Sequence, residues 1–211
     1  MKLFSYWRSS AAYRVRIALI LKEVDHEILP VNLIQQDHRS DTYLFRNPQG
    51  LVPTLGLDDV SISQSTAIIE YLEEVQPEPR LLPADPIEKA TVRAFCQAIA
   101  CDVHPLNNLR VLQHLRTELA CDEAAVNTWY ETWVSRGFAA LETQVKETAG
   151  SYCFGDAVTM ADVYLVPQMF NARRFECDLS PYPTLVDVTS RLERLPAFVN
   201  AAPAQQPDAV Q

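Results

Sequence analysis

The sequence predicts an α/β domain followed by an all-α domain. Three observations point to that fold class. Strand-like and helix-like stretches alternate over about the first 77 residues in the order β-α-β-α-β-β-α, the pattern of helices packed on a mixed four-stranded sheet. Prolines and charges then gather at Gln76-Pro77-Glu78-Pro79-Arg80, Pro83 and Pro86, as in a linker. Beyond Pro86 no stretch reads as a strand. The predicted boundaries are a first domain over 1–78, a linker over 79–87 and a helical domain over 88–211.

Each element has its own reason. Lys2 to Trp7 reads as a strand. Ala11, Val15, Ala18 and Leu19 fall at helical spacing, so a helix runs to about Lys22. His26 to Asn32 is a second strand, and Pro30 places it at a sheet edge or marks a bulge. Gln35 to Phe45 is polar and reads as a short irregular helix, and Asn47-Pro48-Gln49-Gly50 as a turn. Val52 to Leu57 and Val60 to Ser63 are strands joined at Asp58-Asp59. Ile68, Ile69, Leu72 and Val75 then mark an amphipathic helix opened by Gln64-Ser65. In the second half, Ile87 to Leu119 is helical with an interruption at Pro105, and Asp122 caps a helix to Thr148. Gly150 to Asp156 is a loop. Thr159-Met160-Ala161-Asp162 has the capping-box pattern and opens a helix towards Arg173. Another helix starts at Tyr182-Pro183-Thr184, a short one follows Pro196, and the residues around Pro203 and Pro207 read as a loose tail.

Composition narrows the function. Of 211 residues, 48% are hydrophobic and 21% charged, so a packed core is available. The net charge of −9 argues against nucleic acid or an anionic membrane surface as partner. No apolar run reaches membrane-spanning length, and Arg8, Arg14 and Arg16 break any N-terminal signal pattern. A soluble cytoplasmic protein is expected. The five cysteines, Cys96, Cys101, Cys121, Cys153 and Cys177, are odd in number and show no metal-ligand spacing, so reduced thiols and no metal are expected. The first 95 residues contain none. Thiol chemistry there must use a thiol that arrives with a ligand.

Two places in the first domain have the pattern of an anion site. At Ser9-Ser10 a strand runs into a helix through two hydroxyls, with Arg8 just before them. At Gln64-Ser65 a strand again meets a Ser-capped helix, with a polar residue before it. Free amides and hydroxyls at a helix start stabilise a thiolate or carboxylate, although each place is also an ordinary cap. If the two strands share a sheet, the two starts bracket one small anionic ligand. At Val52-Pro53 a cis bond would turn the Val52 main chain towards a peptide-like ligand.

Ser9-Ser10-x-x-x-Arg14-Val15-Arg16-Ile17-Ala18-Leu19, Val52-Pro53-Thr54-Leu55 and Gln64-Ser65-x-Ala67-Ile68-Ile69-Glu70-Tyr71-Leu72 resemble the zeta class of glutathione transferases. So do Arg80-Leu81-Leu82-Pro83, His104-Pro105-Leu106-Asn107-Asn108, the segment Gly155 to Asp162, and Asp178 to Pro183. The resemblance implies a glutathione transferase fold: a thioredoxin-like first domain, an all-helical second domain and a homodimer. It implies glutathione as cofactor, with Ser9 donating to the thiolate and Ser10 as the motif's second hydroxyl. Val52 beside cis-Pro53 would pair with the cysteinyl backbone. Gln64 and Ser65 would hold the γ-glutamyl carboxylate, and His38 would lie near the glycine end. One departure stands out. Ala11 occupies the position where many zeta enzymes have cysteine.

The class includes maleylacetoacetate and maleylpyruvate isomerases. The implied activity is therefore glutathione-dependent cis–trans isomerisation of a maleyl keto-acid by thiolate addition, bond rotation and elimination. Maleylacetoacetate, of tyrosine and phenylalanine catabolism, is placed ahead of maleylpyruvate, of the gentisate route. A general zeta-class transferase or dehalogenase of small α-halo acids uses the same thiolate, and a non-catalytic glutathione-binding scaffold is the non-enzyme alternative. A dicarboxylate substrate calls for arginines, and the candidates are Arg8, Arg110 and Arg174. His104 and Asn108, four residues apart, share a helix face if Pro105 leaves it intact and would reach glutathione.

Overall fold

In the computed structural model, which describes residues 1–209, the chain forms two compact units: residues 1–80 with 194–209, and residues 81–193. The first unit is built on a four-stranded sheet in the order β2-β1-β3-β4. Strand β1 is Lys2–Ser5, β2 Glu27–Pro30, β3 Thr54–Gly56 and β4 Ser61–Ser63. β1 runs parallel to β2 and antiparallel to β3, and β3 runs antiparallel to β4. Pro30 does lie on an edge strand, where its missing amide costs no ladder bond.

Two helices of this unit follow strands directly: α1 is Ser10–Leu21 and α3 is Ser65–Val75. Between them in sequence, a 3-10 turn at Asp37–Arg39 precedes the short helix α2, Asp41–Arg46. The register fixes where α1 and α3 begin. Phe4 pairs with Thr54, and Thr54 with Ser63. The end of β1, the start of β3 and the end of β4 therefore share one end of the sheet, and both helices start there. Along their length α1 and α3 are tied twice at the same sequence offset. Arg14 Nη1 donates to Ser65 Oγ at 3.4 Å, and the buried Lys22 ammonium pairs with Glu73. Lys22 also donates to the Gln76 and Pro79 carbonyls at 2.7 and 2.9 Å. The helices run parallel with their starts side by side.

The burial of α1 differs from a one-faced amphipathic helix. Every residue from Ala12 to Leu19 is buried, including Arg14 and Arg16, while Ala11 is half-exposed. The reason is the C-terminus. Helix α1 packs against α9, Pro196–Ala201, in addition to α3. The Tyr13 hydroxyl donates to the Phe198 carbonyl at 3.1 Å, and Arg16 Nε to the Ala201 carbonyl at 2.9 Å. Residues 194–209 thus cluster with the first unit rather than with the helical domain predicted over 88–211.

The expected loose tail is also corrected up to residue 209. Pro203–Gln205 forms a 3-10 turn, Pro203 and Gln206 are buried, and the Trp7 amide donates to the Asp208 carboxylate at 3.0 Å. An acceptor for a backbone donor near β1, together with the burial of Pro203, outweighs the proline-rich composition.

The second unit is helical: α4 Pro86–Gln97, a π-helical turn Ala98–Val103, α5 Leu109–Thr117, α6 Glu123–Thr148, α7 Met160–Arg174 and α8 Pro183–Leu192. Phe95, Phe138, Val145, Val163, Tyr164 and Leu185 lie in its core. α7 opens with the predicted capping box. Asp162 is fully buried and accepts from the Thr159 amide at 2.7 Å, the Thr159 hydroxyl at 3.0 Å and the Cys153 amide at 2.9 Å. Glu142 of α6 does the same for α8, accepting from the Thr184 and Leu185 amides at 3.1 and 3.0 Å.

Arg16 holds the first unit's β1–α1 junction. Besides Ala201 it donates to Ser5 Oγ at 3.0 Å, the Tyr6 carbonyl at 3.5 Å and the Trp7 carbonyl at 3.1 Å. Burial pushes its pKa down to about 10, against the pull of Tyr13 and Asp208, so it stays charged at neutral pH. Replacing it with methionine orphans buried carbonyls, at a cost of about 3 kcal/mol. Arg16→Met is therefore expected to lower the melting temperature by about 6–12 °C in a thermal scan.

Candidate active site

Ser9 is the N-cap of α1, and its Oγ accepts from the Ala12 amide at 3.2 Å. Accepting that bond leaves the hydroxyl proton able to donate to a ligand. Ser9 is half-exposed and Ser10 is 4% exposed, so Ser9 presents the open hydroxyl. Arg8 is held beside it. Its guanidinium lies 4.8 Å from the Trp7 ring centroid and donates to the Tyr6 hydroxyl at 3.2 Å. The start of α1 and the preceding Arg8 thus put positive charge near one half-exposed hydroxyl, an arrangement that favours an anion.

The Val52–Pro53 bond is cis. Pro53 is buried at the approach to β3, at the sheet end where α1 and α3 begin. Among the described residues no turn, loop or cap hydrogen bond takes up the Val52 amide or carbonyl. Beneath it, the Asn47 side chain and the Tyr43 hydroxyl both reach the Leu51 carbonyl and Thr54 Oγ1, with all four separations between 2.6 and 3.2 Å. These bonds fix the segment that presents Val52.

Gln64 sits between β4 and α3 with φ +72°, a conformation that non-glycine residues avoid. Its exposed amide donates to Gln49 Oε1 at 2.7 Å. Backbone strain of this kind persists where the surroundings demand a particular side-chain direction. Ser65, the first residue of α3, is buried against Arg14. His38, in the 3-10 turn, is half-buried and its Nδ1 has no partner among the described residues. Burial, then Arg39, lowers its pKa below the ordinary histidine value, with Asp37 opposing.

The remaining predicted residues lie in the second unit. His104 follows the π-helical turn, and Asn108 Nδ2 lies 3.4 Å from His104 Nε2. No helix continues through Pro105, so the two do not share a helix face as expected; they meet across a turn, and Asn108 is also the N-cap of α5, accepting from the Arg110 amide at 3.3 Å. The 104–108 segment is fastened to α6. Asn107 Nδ2 donates to the Tyr130 carbonyl at 3.1 Å and Trp129 Nε1 to the Leu106 carbonyl at 2.8 Å. Gly137 permits this approach, since a Cβ there would stand 2.2 Å from Val103 Cγ2. Arg110 is exposed on the first turn of α5. The guanidinium of Arg174 lies 4.7 Å from the Phe175 ring centroid, whereas its neighbour Arg173 is engaged in an ion pair with Glu193.

Within the first unit the structure brings Arg8, Ser9, Val52, Pro53, Gln64 and Ser65 to one end of the sheet. Sequence reasoning missed Arg14, Arg16 and Gln49. Two arginines inside the otherwise apolar run from Ala11 to Leu19 were the available signal for the first two. A cavity of about 800 Å³ opens at the other end of the sheet, lined by Lys2, Glu27, Gly56 and Asp58 among others, and includes none of the candidate residues.

Comparison with known proteins agrees with this layout. The family description "Glutathione S-transferase, N-terminal domain" matches residues 3–80, and "Glutathione S-transferase, C-terminal domain" matches residues 112–200. A probable maleylacetoacetate isomerase of Vibrio cholerae is 47% identical over 210 residues, covering 98% of this chain and 97% of that protein. A solved holo structure of a maleylpyruvate isomerase, described as a bacterial zeta-class glutathione S-transferase, superposes with a TM-score of 0.97 at 48% identity over 100% of both chains. A maleylacetoacetate isomerase of Methylobacterium extorquens AM1, solved with bound malonate and GSH, gives a TM-score of 0.95 at 36% identity, again over 100% of both.

The positive φ at Gln64 makes a stability prediction. Glycine removes the Cβ that this conformation crowds, so Gln64→Gly is expected to gain up to about 1 kcal/mol, read as a melting temperature raised by up to about 4 °C. Gln64→Val, β-branched at the same φ, is expected to lower it.

Proposed function

We propose that this chain, which belongs to the glutathione S-transferase family and to its zeta class, is a glutathione-dependent isomerase that converts maleylacetoacetate to fumarylacetoacetate. The observation behind this reading is the convergence of Ser9, the Val52 main chain and Gln64-Ser65 at one end of the sheet. These groups fit a tripeptide thiol: a donor for the sulfur, a main-chain pair for a peptide unit and a helix start for a carboxylate. No cysteine precedes Cys96, so the thiol comes from the ligand.

When bound, glutathione supplies the thiolate that adds to the conjugated double bond, lets it rotate and is then eliminated. The protein's groups set the stage for it. The Ser9 hydroxyl donates to the sulfur, and the start of α1 favours its anion. Val52 pairs through its amide and carbonyl with the cysteinyl main chain. Gln64 and Ser65 receive the γ-glutamyl carboxylate, and His38, uncharged at neutral pH, serves the glycine end. Arg8 is the first unit's candidate for the substrate or its developing enolate. Arg110 and Arg174 are the second unit's candidates for a substrate carboxylate, and His104 and Asn108 its candidates for glutathione. Ser10, being buried, supports the junction more than the chemistry. Homodimeric assembly, a cytoplasmic location and a place in tyrosine and phenylalanine catabolism belong to the same proposal.

Maleylpyruvate is the second reading. The superposition on the maleylpyruvate isomerase favours it, as does a 49%-identical maleylpyruvate isomerase from Ralstonia. A transferase or dehalogenase role would use the same Ser9 site, whereas a scaffold would have no use for a matched set of thiol-binding groups.

Absorbance assays with each maleyl acid, with and without glutathione, test the proposal. Glutathione-dependent turnover is expected, faster with maleylacetoacetate, and no stimulation by glutathione with either acid would refute the isomerase reading. Loss of one carboxylate contact costs about 1.5–3 kcal/mol, so Arg110→Ala is expected to raise the substrate KM at least tenfold while glutathione binding is retained. An unchanged KM would remove Arg110 from the site.

A further inference from the structure

We propose that Arg14 is a positioning residue for glutathione recognition: it orients the Ser65 hydroxyl towards the γ-glutamyl carboxylate. The inference deepens the reading above and rests on it. Arg14 is 1% exposed in the middle of α1, with no open face of its own, so it does not serve as a ligand contact. Its Nη1 donates to Ser65 Oγ at 3.4 Å, and Ser65 is itself 7% exposed.

The chemistry follows from the hydroxyl's inventory. A serine hydroxyl has one proton to give and two lone pairs to receive with. Arginine is a donor only and stays charged, so it occupies a lone pair and leaves the proton to point elsewhere. At the first residue of α3 the open direction is outward, where the unsatisfied amides of the helix start also point. A cationic donor behind the hydroxyl further strengthens its proton as a hydrogen-bond donor to an anion. Lys22 fixes the spacing of α1 and α3 at their other ends through Glu73 and the Gln76 and Pro79 carbonyls, so Arg14 meets Ser65 at a set distance.

The test separates the γ-glutamyl end from the rest of the ligand. Calorimetric titration measures the binding of S-methylglutathione and of S-methyl-cysteinylglycine, which lacks the γ-glutamyl group. Arg14→Met is expected to weaken S-methylglutathione about tenfold and to leave S-methyl-cysteinylglycine within about twofold, because only one hydroxyl contact changes. Arg14→Lys, which keeps the charge and one donor, is expected to fall between. In a Ser65→Ala background, Arg14→Met should add less than about twofold, since the two act as a unit. Equal losses for both ligands, or an undiminished Arg14 effect without the Ser65 hydroxyl, would overturn the proposal. If Arg14→Met does not fold, Arg14→Lys decides by the same ratio of affinities. Unmutated protein that binds neither ligand would overturn the glutathione reading itself, a different result from any of these.

Discussion

The first unit depends on one buried guanidinium. Arg16 has its charge in the core and answers the cost with four acceptors: Ser5 Oγ and the Tyr6, Trp7 and Ala201 carbonyls. Three of these belong to the segment that leads from β1 into α1. The Ser9 amide then closes on the Tyr6 carbonyl at 2.9 Å. The result is a loop with its carbonyls turned inward and its cap serine left at an open edge. The fourth acceptor brings α9 into the same network, which explains why a chain that passes through the helical unit returns to finish against the first.

The same economy of charge resolves an apparent contradiction. The protein has a net charge of −9, yet the proposed site is one for anions. The positive potential is local. It comes from two adjacent helix starts, with Arg14 buried behind one and Arg8 stacked beside the other. Placing these features together requires only the sheet register, because the end of β1, the start of β3 and the end of β4 are paired neighbours. Neither helix start alone would distinguish a ligand site from a cap; their adjacency is what supports the proposed site.

Much of this was legible in the sequence, for physical reasons that differ by element. The start of helix α6 was legible because Asp122 caps it, accepting from the Ala125 amide at 2.8 Å, and the capping box at Thr159 and Asp162 reads directly as a helix start. Ser9 and Gln64-Ser65 were legible as strand-to-helix junctions. What escaped was tertiary. Local pattern gave Arg14 and Arg16 no partners, since these lie some fifty residues away in Ser65 and at the C-terminus in Ala201. The ordering of residues 203–209 depends on an amide at Trp7, and a proline-rich tail shows no local sign of that. The π-helical turn before His104 ends at Val103, which packs against Gly137 more closely than any Cβ would allow, a long-range contact that local pattern does not show. At Val52-Pro53 the sequence marked the position, and the Tyr43 and Asn47 contacts to Thr54 beside it come from residues outside the local pattern.

The central claim is that the half-exposed Ser9 hydroxyl at the start of α1 stabilises a borrowed thiolate. Ultraviolet absorbance of the thiolate, followed against pH for glutathione bound to the protein and to Ser9→Ala, measures that directly. The account predicts a bound thiol that ionises at least one pH unit below the ordinary thiol value of about 8.5, moved most of the way back by Ser9→Ala. A bound thiol that titrates at its ordinary value, or one whose lowered value survives the loss of the Ser9 hydroxyl, would contradict it.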